Sequence, residues 1–388
     1  MFSSGGSGDK GGTHGVPGAV SRRQVLIAGA MGALAAGIGA VLAACGINSG
    51  ANTPSPAGSG SAPSAPAPSG SITAVASGRR KKAALLLQSY TQLRWKVADQ
   101  AFFEKQAALE GFDVIVQQAN DSVTTQDSQL DNVLTQGIDC LVLVAVNTDA
   151  GEAMVKKSLA AGVPVVCHNS IINNVELAAF VGRSTAEVGT YIGQYALKTA
   201  PKGNYALIKG DQGNSIAQGK AKGLMAVLQP HIDSGDIKIV ADQWIAGWDG
   251  ALAQKAAENA LTANANNIQA MCSLGDGMSY GVIEALRAQG LAGKVYVSGE
   301  DAEPAACKLI KQGTFTMSVF TPFSELGTLS AKAAGQILRG EKVTASTTYN
   351  NGWGEVPWLS APTRPITKDN VLALAQEFPW WVSAKDLQ

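Results

Sequence analysis

Nine polar and aromatic side chains that could do chemistry stand just past apolar runs: Tyr90, Arg94, His168, Asn169, Asn214, Trp248, Asp276, Asp301 and Thr321. Carboxylates and amides meet hydroxyl groups in planar, often bidentate fashion, and a hydroxyl both donates and accepts. An indole lies well against the apolar C–H face of a sugar ring. Together these types suit recognition of an uncharged carbohydrate or polyol. Any one of them is equally well read as a cap or turn. Asn120 and Asp121, for instance, precede TTQDSQL and read as a helix start. His168 reads either as a ligand contact whose titration makes binding pH-dependent or as an exposed loop imidazole.

Catalysis finds little support. The three histidines are His14, His168 and His231, and they form no Ser/His/Asp spacing or metal cluster. GDQGNS at 210–215 lacks the order of a dinucleotide loop. Asp276 and Asp301 could pose as paired carboxylates of a glycosidase, but binding without a cofactor is expected. Thirty basic residues balance thirty acidic ones, so no electrostatic footprint argues for nucleic acid.

The elements that position these residues recur in two halves. Strands are predicted at 83–89, 113–119, 140–146, 163–169 and 178–183, then at 204–210, 237–244, 268–274, 294–301 and 314–320. Amphipathic helical stretches separate them, at the spacing of repeated βαβ units. CLVLVAV and ALLLQ are nearly continuous apolar runs, as in strands covered on both faces. Trp95, Ala98, Phe102, Gln106 and Leu109 follow a 3.6-residue period that Gly111 closes, and Gly137, Gly162 and Gly290 stand where helices give way to strands. The expected fold is α/β: two doubly wound parallel-sheet lobes with a ligand cleft between them, outside the strands' carboxyl ends.

The N-terminal part reads differently. Arg22 and Arg23 precede a mildly apolar Ala/Gly stretch that ends in Leu42-Ala43-Ala44-Cys45. This resembles a twin-arginine signal followed by a lipobox over 1–45, with Cys45 as the acylated residue anchored in a lipid bilayer; an uncleaved anchor helix is the alternative. Residues 46–80 are rich in Gly, Ser, Ala and Pro and read as a disordered tether. The basic run 79–82 reads as a solvated entry to the first strand. The protein is thus expected outside the cytoplasm, on the outer face of the bacterial cytoplasmic membrane. Cys140, Cys167 and Cys272 sit in strand-like runs as small core residues, so no structural disulfide is expected; Cys272 with Cys307 is the pairing to test.

Several stretches then carry a resemblance: QLRW at 92–95, SQLDNVLTQGID at 128–139, DSGDIKIVADQWIAGW at 233–248, AQGLAGKVYVSGEDAE at 288–303 and YNNGWGEVP at 349–357. They resemble the periplasmic sugar-binding proteins of type I fold that feed ABC importers, above all the D-xylose-binding group. The resemblance implies a three-strand hinge with crossings near Ser184, Phe320 and Asn350. It places one lobe at 81–184 plus 321–350 and the other at 185–320 plus 351–388. It also implies a monomer that presents its sugar to an ABC permease and its ATPase, or to a signalling receptor. Arg94, Trp248 and Asp301 match family ligand positions. Asn169 and Ser170 replace an Asp-Arg pair, Asn214 and Ile216 an Asp and an Asn, Gly275 an Asn, and Thr321 a Lys. These departures imply a less charged, roomier cleft.

Overall fold

The computed structural model describes residues 79–388; the signal, Cys45 and nearly all of the tether lie outside the described residues. The first five strands are β1 (Lys82–Leu87), β2 (Asp113–Gln118), β3 (Cys140–Leu143), β4 (Val165–His168) and β5 (Ala179–Gly182). The second five are β6 (Gly203–Lys209), β7 (Ile237–Trp244), β8 (Ala270–Ser273), β9 (Tyr296–Glu300) and β10 (Met317–Phe320). All ten coincide with predicted runs. Three more were not foreseen: β11 (Thr347–Asn350), β12 (Glu355–Ser360) and β13 (Arg364–Ile366).

The strands form two sheets, ordered β11-β12-β5-β4-β3-β1-β2 and β13-β10-β9-β8-β6-β7. Within both, the five original strands lie in the doubly wound order 2-1-3-4-5 and pair in parallel. Each sheet ends on a short antiparallel strand, β11 or β13. Buried Ala, Leu, Val and Cys fill β1, β3, β4 and β5 on both faces, as helix-covered parallel strands require.

The chain leaves the first sheet after β5, and helix Thr185–Thr199 packs on β8, β9 and β10 of the second. It returns after β10, and helix Phe323–Leu338 packs on β3, β4 and β5. The last crossing lies between Ser360 and Arg364, which corrects the boundary expected near Asn350. Trp358, Leu359 and Ser360 pair with Phe180, Val181 and Gly182, so residues 351–360 extend the first sheet. Sheet pairing, with Phe180 stacked on Trp358 at 6.0 Å, decides the lobe.

The helix after β1 departs from its predicted phase. It begins as a π-turn over Trp95–Gln100 and continues as α-helix over Ala101–Glu110. Trp95 and Ala98 are buried as expected, but farther on Phe103 and Ala107 are the buried residues, and Leu109 is 75% exposed. A π-turn holds extra residue per turn, so the buried face slips by one position. The helix that Asn120 and Asp121 were expected to start is instead capped by Ser122, whose Oγ accepts from Thr125 N–H at 3.2 Å. All four described cysteines are free and buried. Burial pushes the Cys140 and Cys167 thiols up to about 12, leaving them inert.

Candidate functional site

The carboxyl ends of the strands in both sheets converge on one cleft. From the first sheet come Gln88, Gln92, Arg94 and Trp95 after β1, Asn169 after β4 and Arg183 after β5. From the second come Asn214, Lys220, Trp248, Asp276, Glu300 and Asp301. The space enclosed is about 470 Å³, counting its opening to solvent. Six of the nine predicted residues therefore meet: Arg94, Asn169, Asn214, Trp248, Asp276 and Asp301.

Three do not line it. Tyr90 lies on the surface, donating its hydroxyl to Gln100 Oε1 at 2.5 Å. Thr321 is fully buried, its Oγ1 without a partner. His168 is neither a ligand contact nor exposed. It is buried behind the cleft, with Nε2 2.7 Å from Asp99 Oδ1 and Nδ1 2.6 Å from Ser330 Oγ.

That inner layer holds Arg94. Its Nε and Nη2 donate to the two Asp99 oxygens at 2.9 and 2.7 Å. Residues five apart do not face each other on an α-helix; the π-turn, with its i→i+5 bonds, brings Arg94 and Asp99 together. The guanidinium lies between Phe323 and Trp95, 3.4 and 4.2 Å from their ring centroids. Burial opposes ionisation of Asp99, but the Arg94 charge and the bonds from His168 and Arg94 outweigh it and hold the carboxyl below its usual range.

Glu300 forms a second buried cluster. It accepts from Arg183 Nε at 2.5 Å and pairs with Lys220. Burial alone would raise its pKa; the two cations pull it down to about 2. Lys220 also donates to Leu274 O at 2.7 Å and stands 4.6 Å from the Trp248 ring centroid. The departures in sequence led to an expectation of a less charged cleft. The cleft nonetheless carries charges that were not assigned from sequence, since Arg183, Lys220 and Glu300 line it.

Asp276 and Asp301 are the opposite case. Burial, then the Asp301 and Glu303 charges, raise Asp276 well above a carboxylate's usual value. Its oxygens accept from Ser318 Oγ at 2.7 Å and Glu303 N–H at 3.0 Å. Burial and the Glu300 charge raise Asp301 to about 7, against the pull of Arg94 and Lys220.

Trp248 owes its place to glycine. Its ring covers Gly210, where a Cβ would stand 2.3 Å from two indole carbons. Trp248 itself takes φ 57°, and Asp211 secures the turn by accepting from Gly247 N–H at 2.9 Å.

The two lobes touch around the cleft. Leu93 N–H donates to Glu303 Oε1 at 3.4 Å, Thr148 N–H to Gly213 O at 3.2 Å, and Ser215 Oγ to Ile171 O at 3.0 Å. The halves are thus in direct contact at the rim of the cleft. Of the polar lining residues, Gln88, Arg183 and Lys220 escaped sequence reasoning, and Glu300, at a strand end beside Asp301, was not singled out. Gln88, Arg183 and Glu300 do follow or end predicted strands; Lys220 lies within a helix, where no strand-end rule finds it. Among the described residues no cluster of metal-ligating side chains occurs, and no helix is long and apolar enough to cross a membrane.

Comparison with known proteins agrees with this geometry. Residues 84–342 match the family described as periplasmic binding protein domain. The D-xylose-binding periplasmic protein of Escherichia coli (strain K12) is 36% identical over 296 residues, 76% of this chain and 89% of that protein. Its namesake from Haemophilus influenzae is 35% identical over 305 residues, 78% of this chain and 92% of the relative. An ABC transporter solute binding protein from Clostridium phytofermentans, solved with β-D-glucose, superposes with TM-score 0.72 at 24% identity, covering 79% of this chain and 100% of that one. These relatives are transport binding proteins, not enzymes.

Proposed function

Because the chain belongs to the periplasmic binding protein family, we propose that it is an extracytoplasmic receptor that closes its two lobes on a saccharide. The observation that carries this reading is the cleft itself. Amides, carboxylates and a guanidinium from both sheets surround one indole, Trp248. Open lobes present half-sites; the sugar bridges them, and hinge motion at the three crossings favours the closed form. Trp248 packs on the ring, while Arg94, Asn169, Asn214 and Asp301 pair with its oxygens. Asp276, with both oxygens engaged, supports the Glu303 turn behind them.

The named relatives extend the reading. Two bind D-xylose by name, and structural neighbours hold glucose or myo-inositol. We further propose that the closed form is presented, as a monomer, to an ABC permease and its ATPase, and that Cys45 is acylated and holds the receptor on the membrane's outer face. Acylation is tested by mass spectrometry of the N-terminal peptide. The receptor function is tested by thermal shift across pentoses, hexoses, polyols and their acids, since a ligand that binds only the folded form raises the melting temperature. A flat response across the panel would sink it.

A further inference from the structure

The turn that delivers Asp301 to the cleft is strained. Asp301 takes φ 115° and Ala302 φ 49°, where residues other than glycine are seldom found. Such a backbone persists only when its surroundings over-determine it. Two bonds to β10 help to do so: Asp301 N–H donates to Val319 O at 2.9 Å, and Ala302 N–H to Ser318 Oγ at 2.9 Å. The Ala302 carbonyl is held from the other side. Cys307 Sγ–H, a weak donor, reaches it at 3.3 Å, and Trp381 Nε1–H donates to it at 2.8 Å.

Trp381 comes from the C-terminal tail, 79 residues beyond Ala302. The tail is tied to the second lobe. Phe378 packs on Phe320 with ring centroids 4.8 Å apart, Arg364 pairs with Glu377 at 2.6 Å, and Lys311 Nζ donates to Leu387 O at 3.0 Å. Trp381 is 3% exposed, and its ring meets Phe323 edge-on at 6.1 Å, which fixes the direction of its N–H. The indole does not line the cleft; Asp301, one residue before its carbonyl partner, does.

We propose that Trp381 is a positioning residue of the binding cleft, whose N–H holds the strained Asp301–Ala302 turn through the Ala302 carbonyl and so keeps the Asp301 carboxylate facing the ligand. This rests on the reading of the cleft as a saccharide site. It adds to that site a residue that does not touch the sugar and that lies beyond the family-matched stretch 84–342. Without the indole N–H, the turn relaxes toward commoner backbone angles and carries the carboxylate away from its place.

The test is calorimetry on the full chain with D-xylose, D-ribose, D-glucose, D-galactose, xylitol and myo-inositol, following whichever binds most tightly. Trp381→Phe keeps a ring against Phe323 and loses only the donor. It is expected to weaken binding about tenfold, the size of one misplaced hydrogen bond to a charged group. In an Asp301→Ala background the same change should alter affinity less than about twofold, because both substitutions then act through one carboxylate. Ala302→Gly removes strain at a left-handed position and should restore Trp381→Phe to within about threefold of the parent. A role in stability alone would produce neither the coupling nor the rescue. If Trp381→Phe does not fold, the Trp381→Phe/Ala302→Gly chain carries the test: near-parental affinity supports the role, and failure to fold confines the indole to the core. Parental affinity in Trp381→Phe, or a loss that persists unchanged in both backgrounds, would overturn the positioning role and leave the saccharide receptor standing. Failure of every sugar with the parent chain would instead remove the receptor reading, and the role with it.

Discussion

Arg183, at the end of a first-lobe strand, donates to Glu300 at the end of a second-lobe strand, 2.5 Å away, with both side chains almost fully buried. The pair spans the lobes next to the first hinge crossing, so it belongs to the closed form as much as to the fold. Breaking a buried ion pair from one side costs about 3–5 kcal/mol because the other charge is stranded. Arg183→Met is expected to lose about that much in urea unfolding. Arg183→Lys, which keeps the charge but not the fork, is expected to lose less. An Arg183→Met variant within about 1 kcal/mol of the parent would show that Lys220 alone neutralises Glu300.

Trp248 and Gly210 act together. Trp248→Ala removes the surface for a sugar ring and is expected to weaken binding at least about tenfold. Gly210→Val places a side chain where the indole lies, so it should weaken binding similarly while Trp248 is retained. Calorimetry and the shift of tryptophan emission check both. Full affinity in Gly210→Val would mean that the indole does not pack on the ligand from this position.

Stability should depend on pH through Asp301. Its pKa is raised from 3.8 to about 7 in the folded chain. The stabilising contribution is therefore complete below about pH 4 and is lost as pH rises through about 7. Asp276 shifts in the same direction. Glu300 is lowered to about 2; its contribution is complete above its ordinary value and fades only as pH falls toward 2. Between pH 5 and 8 the carboxyls with raised pKa decide the sign, and the melting temperature should fall as pH rises. Asp301→Asn should flatten that slope; an unchanged slope would exclude Asp301 as its source.

His168 acts on the cleft from behind. His168→Phe leaves Asp99 with Arg94 alone and removes the partner of Ser330. A loss of about 1–3 kcal/mol is expected for unmatched buried groups, together with weaker ligand binding because Arg94 is less firmly held. Urea unfolding and calorimetry separate the two effects. Stability lost with affinity intact would confine His168 to the core.

Much of this was legible along the chain. Ten apolar runs marked the ten strands of the two doubly wound sheets because helix-covered parallel strands must be apolar on both faces. Strand ends then pointed to six cleft residues, since side chains there are the ones a parallel sheet delivers to its ligand edge. β11 and β12 were missed: Thr347, Thr348, Asn350 and Glu355 give them a polar edge with no continuous apolar run. The slipped face after Trp95 was missed because a π-turn leaves no periodicity of its own.

Sequence by itself determined the two-lobed α/β plan, the cleft at the strand ends and the place of Arg94, Trp248 and Asp301, all of which follow from local pattern and residue type. Only the tertiary structure decided which polar groups remain free. His168 went to Asp99, Asp276 to Ser318, and Glu300 to Arg183 and Lys220. Those partners lie 42 to 117 residues apart where the bond spans the chain, and a hydrogen bond is spent by whichever group folding brings within reach.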